Sequence, residues 1–118
     1  MCGVSSVIYK ICDAALWRAA EREGCFRGAT IDVRDGYIHF SSAGQVVETA
    51  AKHFAGAADL VLAAVAAPAL GGALKWEPAR GGEMFPHLYG VLALDAVLWV
   101  KSLRLGVDGR HIFPELAA

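Results

Sequence analysis

Apolar and polar positions alternate, change period and break at turn residues along the chain, and those breaks divide it into elements. Val7 to Cys12 is β-branched and aromatic with period-two alternation, which predicts a first strand with Ile8, Lys10 and Cys12 on one face. A lysine therefore points where apolar neighbours point. Asp13 is a candidate N-cap for a helix over Ala14–Glu23 that Gly24 closes, with Leu16, Ala19, Ala20 and Glu23 on one face and Trp17 on its flank. Gly28 to Gly36 reads as a polar loop ending in the Asp35-Gly36 turn. Tyr37 to Ser41 reads as a second strand, Tyr37, His39 and Ser41 facing one way and Ile38 and Phe40 the other.

Ser42-Ala43-Gly44-Gln45 has capping-box spacing and opens a second helix, whose stripe of Val46, Val47, Ala50, Ala51 and Phe54 runs out before Gly56. Asp59 to Ala67 is apolar without alternation and is stopped by Pro68, which predicts a central strand buried on both faces. Ala73 to Glu77 reads as a short strand, residues 79–83 as a loop and Pro86 as a break. His87 to Ala93 and Val97 to Leu103 read as two further strands, and Gly106 to Arg110 as a polar turn. Residues 105–118 form a C-terminal tail beyond a core of about 7–104, and His111 to Ala118 carry too little pattern to place. No repeat or linker appears, so the economical architecture is a single α+β domain, a mixed sheet carrying two early helices.

The length of 118 residues suits one domain, and a 56% hydrophobic composition with 19% charged residues supplies a core and argues against disorder. Eleven Lys and Arg against twelve Asp and Glu leave a formal charge of −1, so strong non-specific nucleic-acid binding is not expected. The longest uncharged stretch, Leu60 to Leu74, is 15 residues and contains Pro68, Gly71 and Gly72, too short for a bilayer. Lys10 interrupts the N-terminal apolar segment and nothing basic precedes it, so no secretory signal, no membrane association and a cytoplasmic location are expected. Cys2, Cys12 and Cys25 are odd in number without C-x-x-C spacing and read as buried or incidental thiols. No His or Cys spacing suits zinc, so no metal is expected, and no G-x-S-x-G, P-loop or G-x-G-x-x-G is present.

Three segments place polar groups inside apolar strands or beside special turns: residues 37–42, 75–82 and 85–90. Burying such groups costs several kcal/mol in order of magnitude without partners, so they mark either a working site or a self-satisfied network. His39 and Ser41 on one face, followed by a helix start at Ser42, would gather an imidazole, hydroxyls and free amides at a rim suited to an anion; alternatively Ser42 merely caps. Glu77 and Arg80 are either an ion pair holding a turn or, with Gly81-Gly82 beside them, a ligand-approaching loop. His87 and Tyr89 share a face, and Trp76 offers a surface on which a base or nicotinamide could stack, although both aromatics also suit a core. His53 on its helix and His111 in the tail are weak candidates.

The run of Tyr9-Lys10-Ile11, Asp35-Gly36-Tyr37-Ile38-His39-Phe40-Ser41, Leu74-Lys75-Trp76-Glu77, Arg80-Gly81-Gly82 and Phe85-Pro86-His87-Leu88-Tyr89 resembles the bacterial family known as domain of unknown function 952, from about Ile8 to Val100. The resemblance implies a fold similar to that of ADP-ribosyltransferases, a split β-sheet with a cleft that binds NAD in the true transferases. It implies Lys10 at the first-strand position of the cleft, where Lys10 replaces the expected Arg or His. It implies His39 with Ser41 at the second position and Glu77 or His87 at the third.

Three functions follow as expectations. The leading one is ADP-ribosyl or phosphoryl transfer on NAD or another nucleotide: Lys10, Arg80 and the Ser42 helix start hold phosphate, His39 or His87 acts as acid or base, and Glu77 orients a ribose hydroxyl or stabilises developing charge. In the second, a non-catalytic domain keeps an anion-binding cleft for a small ligand or a partner. The third is a two-histidine phosphoesterase, for which His39-Phe40-Ser41 supplies one half-motif and His87-Leu88-Tyr89 an imperfect other. Oligomeric state is not legible.

Overall fold

A computed structural model describes residues 6–118, the side chain of Arg80 excepted. The chain runs β1 (Val7–Asp13), α1 (Ala14–Glu23), β2 (Cys25–Phe26), α2 (Thr30–Asp35), β3 (Ile38–His39), β4 (Ser41–Ser42), α3 (Ala43–His53), β5 (Leu60–Ala66), β6 (Leu74–Pro78), β7 (Met84–Leu88), β8 (Leu92–Ala93), β9 (Val97–Leu105) and β10 (His111–Ile112). A five-stranded antiparallel sheet has the order β10-β9-β5-β1-β4, a three-stranded sheet the order β3-β7-β6, and β2 and β8 form a short ribbon.

β5 is the middle strand of the large sheet and is buried on both faces, as its unbroken apolar run requires. Alternation along β1 sorts the two faces. Ile8 and Cys12 join one cluster with Ala63 and Val65, Trp17 and Ala20 of α1, and Ile38, Phe40 and Leu88 of the small sheet. Tyr9 and Ile11 join the other with Leu60, Leu62 and Leu103, against Val46 and Ala50 of α3. Trp17 thus belongs to the core at 2% exposure, where the helical spacing had put it on the flank. Its ring lies 5.3 Å from that of Phe26, so the largest side chain of α1 fills the layer that smaller neighbours cannot.

Three further expectations change. Residues 28–36 are not all loop: Asp32 accepts the Ala29 N–H at 2.7 Å, the reach-back contact of a capping box, and starts the six-residue α2, which Gly36 ends at φ +86°. Six residues are too few for helical periodicity to appear in a sequence. Pro86 lies inside β7 rather than breaking the chain, and the strand ends at Leu88 instead of continuing to Ala93. In an antiparallel strand a residue's N and carbonyl point to one side; the Pro86 carbonyl accepts from Phe40 N–H at 3.0 Å, so its missing N–H falls where β3 has already ended.

The tail is also structured. β10 pairs with β9 across the Gly106–Arg110 turn, and Phe113 and Leu116 pack against the cluster over Tyr9. The Tyr9 hydroxyl donates to the Ala117 carbonyl at 2.7 Å and accepts the Ala117 N–H at 2.8 Å. Cys12 and Cys25 are free thiols, burial pushing that of Cys12 up to about 12; Cys2 lies outside the described residues. Among the described residues no helix is long and apolar enough to cross a membrane.

Tyr9→Phe removes both bonds to the tail while keeping the buried ring. It should lower stability by about 1–2 kcal/mol in chemical denaturation and speed hydrogen exchange over residues 111–118; an unchanged midpoint and exchange rate would show that the tail docks through its apolar side chains alone.

Candidate functional site

The small sheet has two unlike faces. With His39, His87 and Lys75 in register across β3, β7 and β6, period two sends Ile38, Leu88, Leu74 and Trp76 into the core. Tyr37, Phe85, Tyr89 and Glu77 go with the histidines to the opposite face.

Behind this face lies one buried carboxylate. Asp32, 1% exposed, takes the Lys10 ammonium at 2.8 Å on Oδ2 and 3.0 Å on Oδ1. Its Oδ1 also accepts the His39 backbone N–H at 3.1 Å and the His39 ring Nδ1 at 2.6 Å. Lys10 closes the loop by donating to the His39 carbonyl at 2.9 Å. Gly28 makes room for this hub: at φ +113° a Cβ there would stand 2.8 Å from that of Asp32. Burial alone would raise the Asp32 carboxyl, but the His39 hydrogen bond, the charge and hydrogen bond of Lys10 and the Ala29 amide outweigh it and hold the group down at about 2. Burial draws the Lys10 ammonium below its usual range, against the opposing pull of Asp32.

His39 is gripped from both sides, since its Nε2 lies 3.0 Å from Asp35 Oδ2. Both ring nitrogens thus face carboxylates. His87 is held differently. Its Nδ1 donates to Glu77 Oε1 at 2.7 Å, which also accepts the Tyr89 hydroxyl at 2.8 Å; these two bonds, His87 first, lower the Glu77 carboxyl, and Glu77 in turn raises the Tyr89 phenol. The His87 Nε2 makes no hydrogen bond among the described residues, yet no buried side-chain nitrogen there lacks a partner, so this atom opens on free space. Tyr37 stacks on the His87 ring at 4.1 Å between centroids, and the His39 and His87 rings stand 5.5 Å apart, edge to face.

The free space is a cavity of about 470 Å³ at the split between the two sheets. It arises because the chain leaves the small sheet after His39 and enters the large one at Ser41, while β4 pairs with β1 only at Ile8 and Tyr9, leaving the β1 edge open from Lys10 onward. Tyr9, Ile11, Ile31, Phe40, Phe54 and Phe85 give it an apolar wall. Lys10, His39, Ser41, Thr49, His53 and His87 supply the polar positions.

Residues 11–100 match the family model described as Protein of unknown function (DUF952). The chain belongs to this family. It is similar to protein CC0527 from Caulobacter crescentus, whose crystal structure has 49% sequence identity and a TM-score of 0.86, covering 90% of this chain and 93% of that one. The solution NMR structure of CC0527 has 50% identity and a TM-score of 0.81, covering 89% and 90%. No curated protein matches it.

Of the residues singled out in this DUF952 sequence, His39, Glu77 and His87 converge, and Lys10, Ser41, His39 and His87 border the cavity. Lys10 is bound to Asp32, and the Ser41 hydroxyl lies 2.9 Å from that of Thr49. Tyr89 reaches the site through Glu77 and is 42% exposed. Trp76 is not a stacking platform: it alternates with Glu77 and packs into the core. Ser42 opens α3, its N–H donating to Gln45 Oε1 at 2.9 Å as in a capping box. Gly81 and Gly82 are exposed with open space where a Cβ would stand, so their need is conformational, at φ +69° and +79°. Their turn meets the cavity through Ala79; the Arg80 side chain lies outside the described residues.

Sequence reasoning missed Asp32 and Thr49, read Asp35 only as a turn residue, held His53 a weak candidate and gave Tyr37 only an orientation. The signals existed in part. Asp32 stands three residues after Ala29 and four before Gly36, the spacing of a helix start and stop, and Gln45, Thr49 and His53 recur every fourth residue beside the apolar stripe of α3. Among the described residues no three His, Cys, Asp or Glu side chains are grouped to hold a metal ion.

Because the folded Asp32 takes up its proton less readily than the unfolded one, its contribution is complete above about pH 4 and fades as pH falls toward 2, about 2 kcal/mol in all. Asp32→Asn leaves a buried ammonium facing an amide and should cost about 3–5 kcal/mol at pH 7 while flattening this acid limb in urea titrations. A variant as stable as the parent at pH 7 would remove Asp32 from the centre of the network.

Proposed function

We propose that the cavity is the active site of a small transferase or hydrolase acting on a nucleotide-like anionic ligand. The observation that carries the reading is the His87 imidazole, fixed through Nδ1 by Glu77 at 2.7 Å, with Nε2 opening on a cavity that the ring of His39, 5.5 Å away, also borders. A carboxylate on one imidazole nitrogen fixes the tautomer and leaves the other nitrogen to take or give a proton, the arrangement general acid–base catalysis uses. His87 is then the acid–base group and Glu77 its positioning residue. His39, its ring nitrogens held by Asp32 and Asp35, borders the cavity as a fixed wall, and Lys10 fixes the His39 backbone.

The dimensions agree with this reading, since small-molecule sites commonly enclose about 300–1,000 Å³ and combine apolar walls with a few placed polar groups. A divided sheet with the cavity at the division is also what the resemblance to ADP-ribosyltransferases implies, which supports NAD and its relatives among the ligands to try. A proton relay between two histidines in the manner of phosphoesterases has less support. His39 presents both nitrogens to carboxylates, and the Ser41 and Tyr89 hydroxyls are engaged by Thr49 and Glu77. The binding-domain alternative rests on the closed Lys10–Asp32 pair, which needs no ligand.

Titration calorimetry and thermal shift with NAD, ADP-ribose and 2′-phosphorylated nucleotides test the reading. At least one ligand should bind and stabilise the protein by about 3 kcal/mol at 100 times its dissociation constant. Chromatography of the products should show turnover that His87→Ala abolishes and Glu77→Gln reduces at least about tenfold while binding persists. Binding without turnover would favour the non-catalytic domain, and no heat or stabilisation at millimolar ligand would end the nucleotide reading.

A further inference from the structure

The large sheet ends on unlike edges. On the cavity side the edge strand β4 is two residues long, whereas β9 on the far side runs for nine. β9 pairs with β5 along one side and meets β10 on the other only at Arg104 and Leu105. Among the described residues its outer side is therefore unpaired from Val97 to Leu103.

The β9–β10 hairpin fixes which residues face outward. Gly106 N–H donates to the Arg110 carbonyl at 2.7 Å, so Gly106 and every second residue before it, Arg104, Ser102 and Val100, turn their backbone groups away from β5. Arg104 directs them to Ile112 of β10, and Val100 and Ser102 direct theirs past the end of that strand. Trp99, Lys101 and Leu103 bond instead to β5, opposite Ala64, Leu62 and Leu60. An open edge of this kind is a template for another strand, and proteins usually block it with proline, charge or cover. The open run of β9 holds no proline and one charge, Lys101, and its bulge at Leu98 leaves that leucine exposed.

Symmetry selects both the occupant and the register. Val100 stands at the centre of the run from Val97 to Leu103, so a second copy laid antiparallel fills the edge from end to end and stops where β10 begins. Val100 then faces the partner's Val100, and Lys101 faces the partner's Trp99. That pairing places an ammonium at an indole ring, a contact the side chains already make within one chain, with Lys101 Nζ 4.9 Å from the centre of the Trp99 ring. A register moved one step toward the C-terminus sets the two Lys101 ammonium groups directly opposite each other. Moved the other way, it leaves Ser102 and Leu103 uncovered.

We propose that the outer edge of β9 docks a second copy of this chain, the two five-stranded sheets joining through antiparallel β9 pairing centred on Val100. The inference is independent of the ligand, because the cavity lies at the opposite side of the sheet, along β1 and β4.

Sedimentation equilibrium and amide hydrogen exchange, both run from about 10 μM to about 1 mM protein, test it. The average mass should rise from 12.5 kDa toward twice that value. Over the same range the Val100 and Ser102 amides should slow by about tenfold while those of Trp99 and Lys101, already bonded to β5, keep their rates. Lys101→Glu should weaken association at least about tenfold at an unchanged unfolding midpoint, and Lys101→Arg should retain it. Val100→Pro removes an outward N–H without touching a bond to β5 and should abolish the dimer; if that variant fails to fold, Lys101→Glu and the exchange pattern decide. A constant mass of one chain throughout would overturn the proposal. So would a dimer whose Val100 and Ser102 amides exchange as they do in dilute solution, or one that Lys101→Glu leaves intact.

Discussion

A carboxylate that is almost sealed from water must have its charge met inside the protein, and the architecture around Asp32 follows from that requirement. Its two oxygens tie together four donors from three parts of the chain: the Ala29 amide at the start of α2, the Lys10 ammonium of β1, and the backbone and ring of His39 on β3. Removing any one donor leaves charge in a low-dielectric layer, which costs more than the bond itself contributes when formed. The pair need not add net stability over an apolar replacement. What it fixes is position, because an ammonium and an imidazole held by one carboxylate cannot drift independently.

That positional constraint bears on function through the split of the sheet. Between β3 and β4 the chain passes from the small sheet to the large one within a single residue, Phe40. A continuous sheet would have covered the β1 edge at Lys10; the split leaves it open and lets α2 approach with Asp32. The gap is bounded by groups whose orientations are each set from behind, His39 by two aspartates and His87 by Glu77 with Tyr37 stacked over its ring. Preorganisation of this sort is what acid–base chemistry needs, since a displaced imidazole loses its proton-transfer geometry.

Much of the framework was legible because it follows from period and punctuation. The alternation of β1, the Asp13-to-Gly24 helix, the Ser42–Gln45 start of α3 and the doubly buried β5 are local patterns that tertiary packing left intact. The polar face of the small sheet was legible for the same reason, with His39, Glu77 and His87 on it. Trp76 marks where that reasoning was not carried far enough, since alternation already forbids it the face of Glu77. Asp32 was hidden for another reason. A six-residue helix has no periodicity, and a lone aspartate in a polar stretch looks like any solvated loop residue until the fold brings a lysine from 22 positions away. The tail was illegible likewise, because its docking depends on Tyr9, at the other end of the chain.

The central claim is that segments distant along the chain, from β1, α2, α3 and β7 among others, build one hollow that receives a ligand. The most direct measurement is an NMR titration of the protein with NAD, ADP-ribose and a 2′-phosphorylated nucleotide in turn, following the imidazole resonances of His39 and His87 together with the rings of Phe40 and Phe85. The account predicts that these signals move together along one binding isotherm, while those of Trp17 and Trp76 in the core stay in place. Shifts confined to other surfaces, or histidine signals that stay still while ligand binds elsewhere, would contradict it.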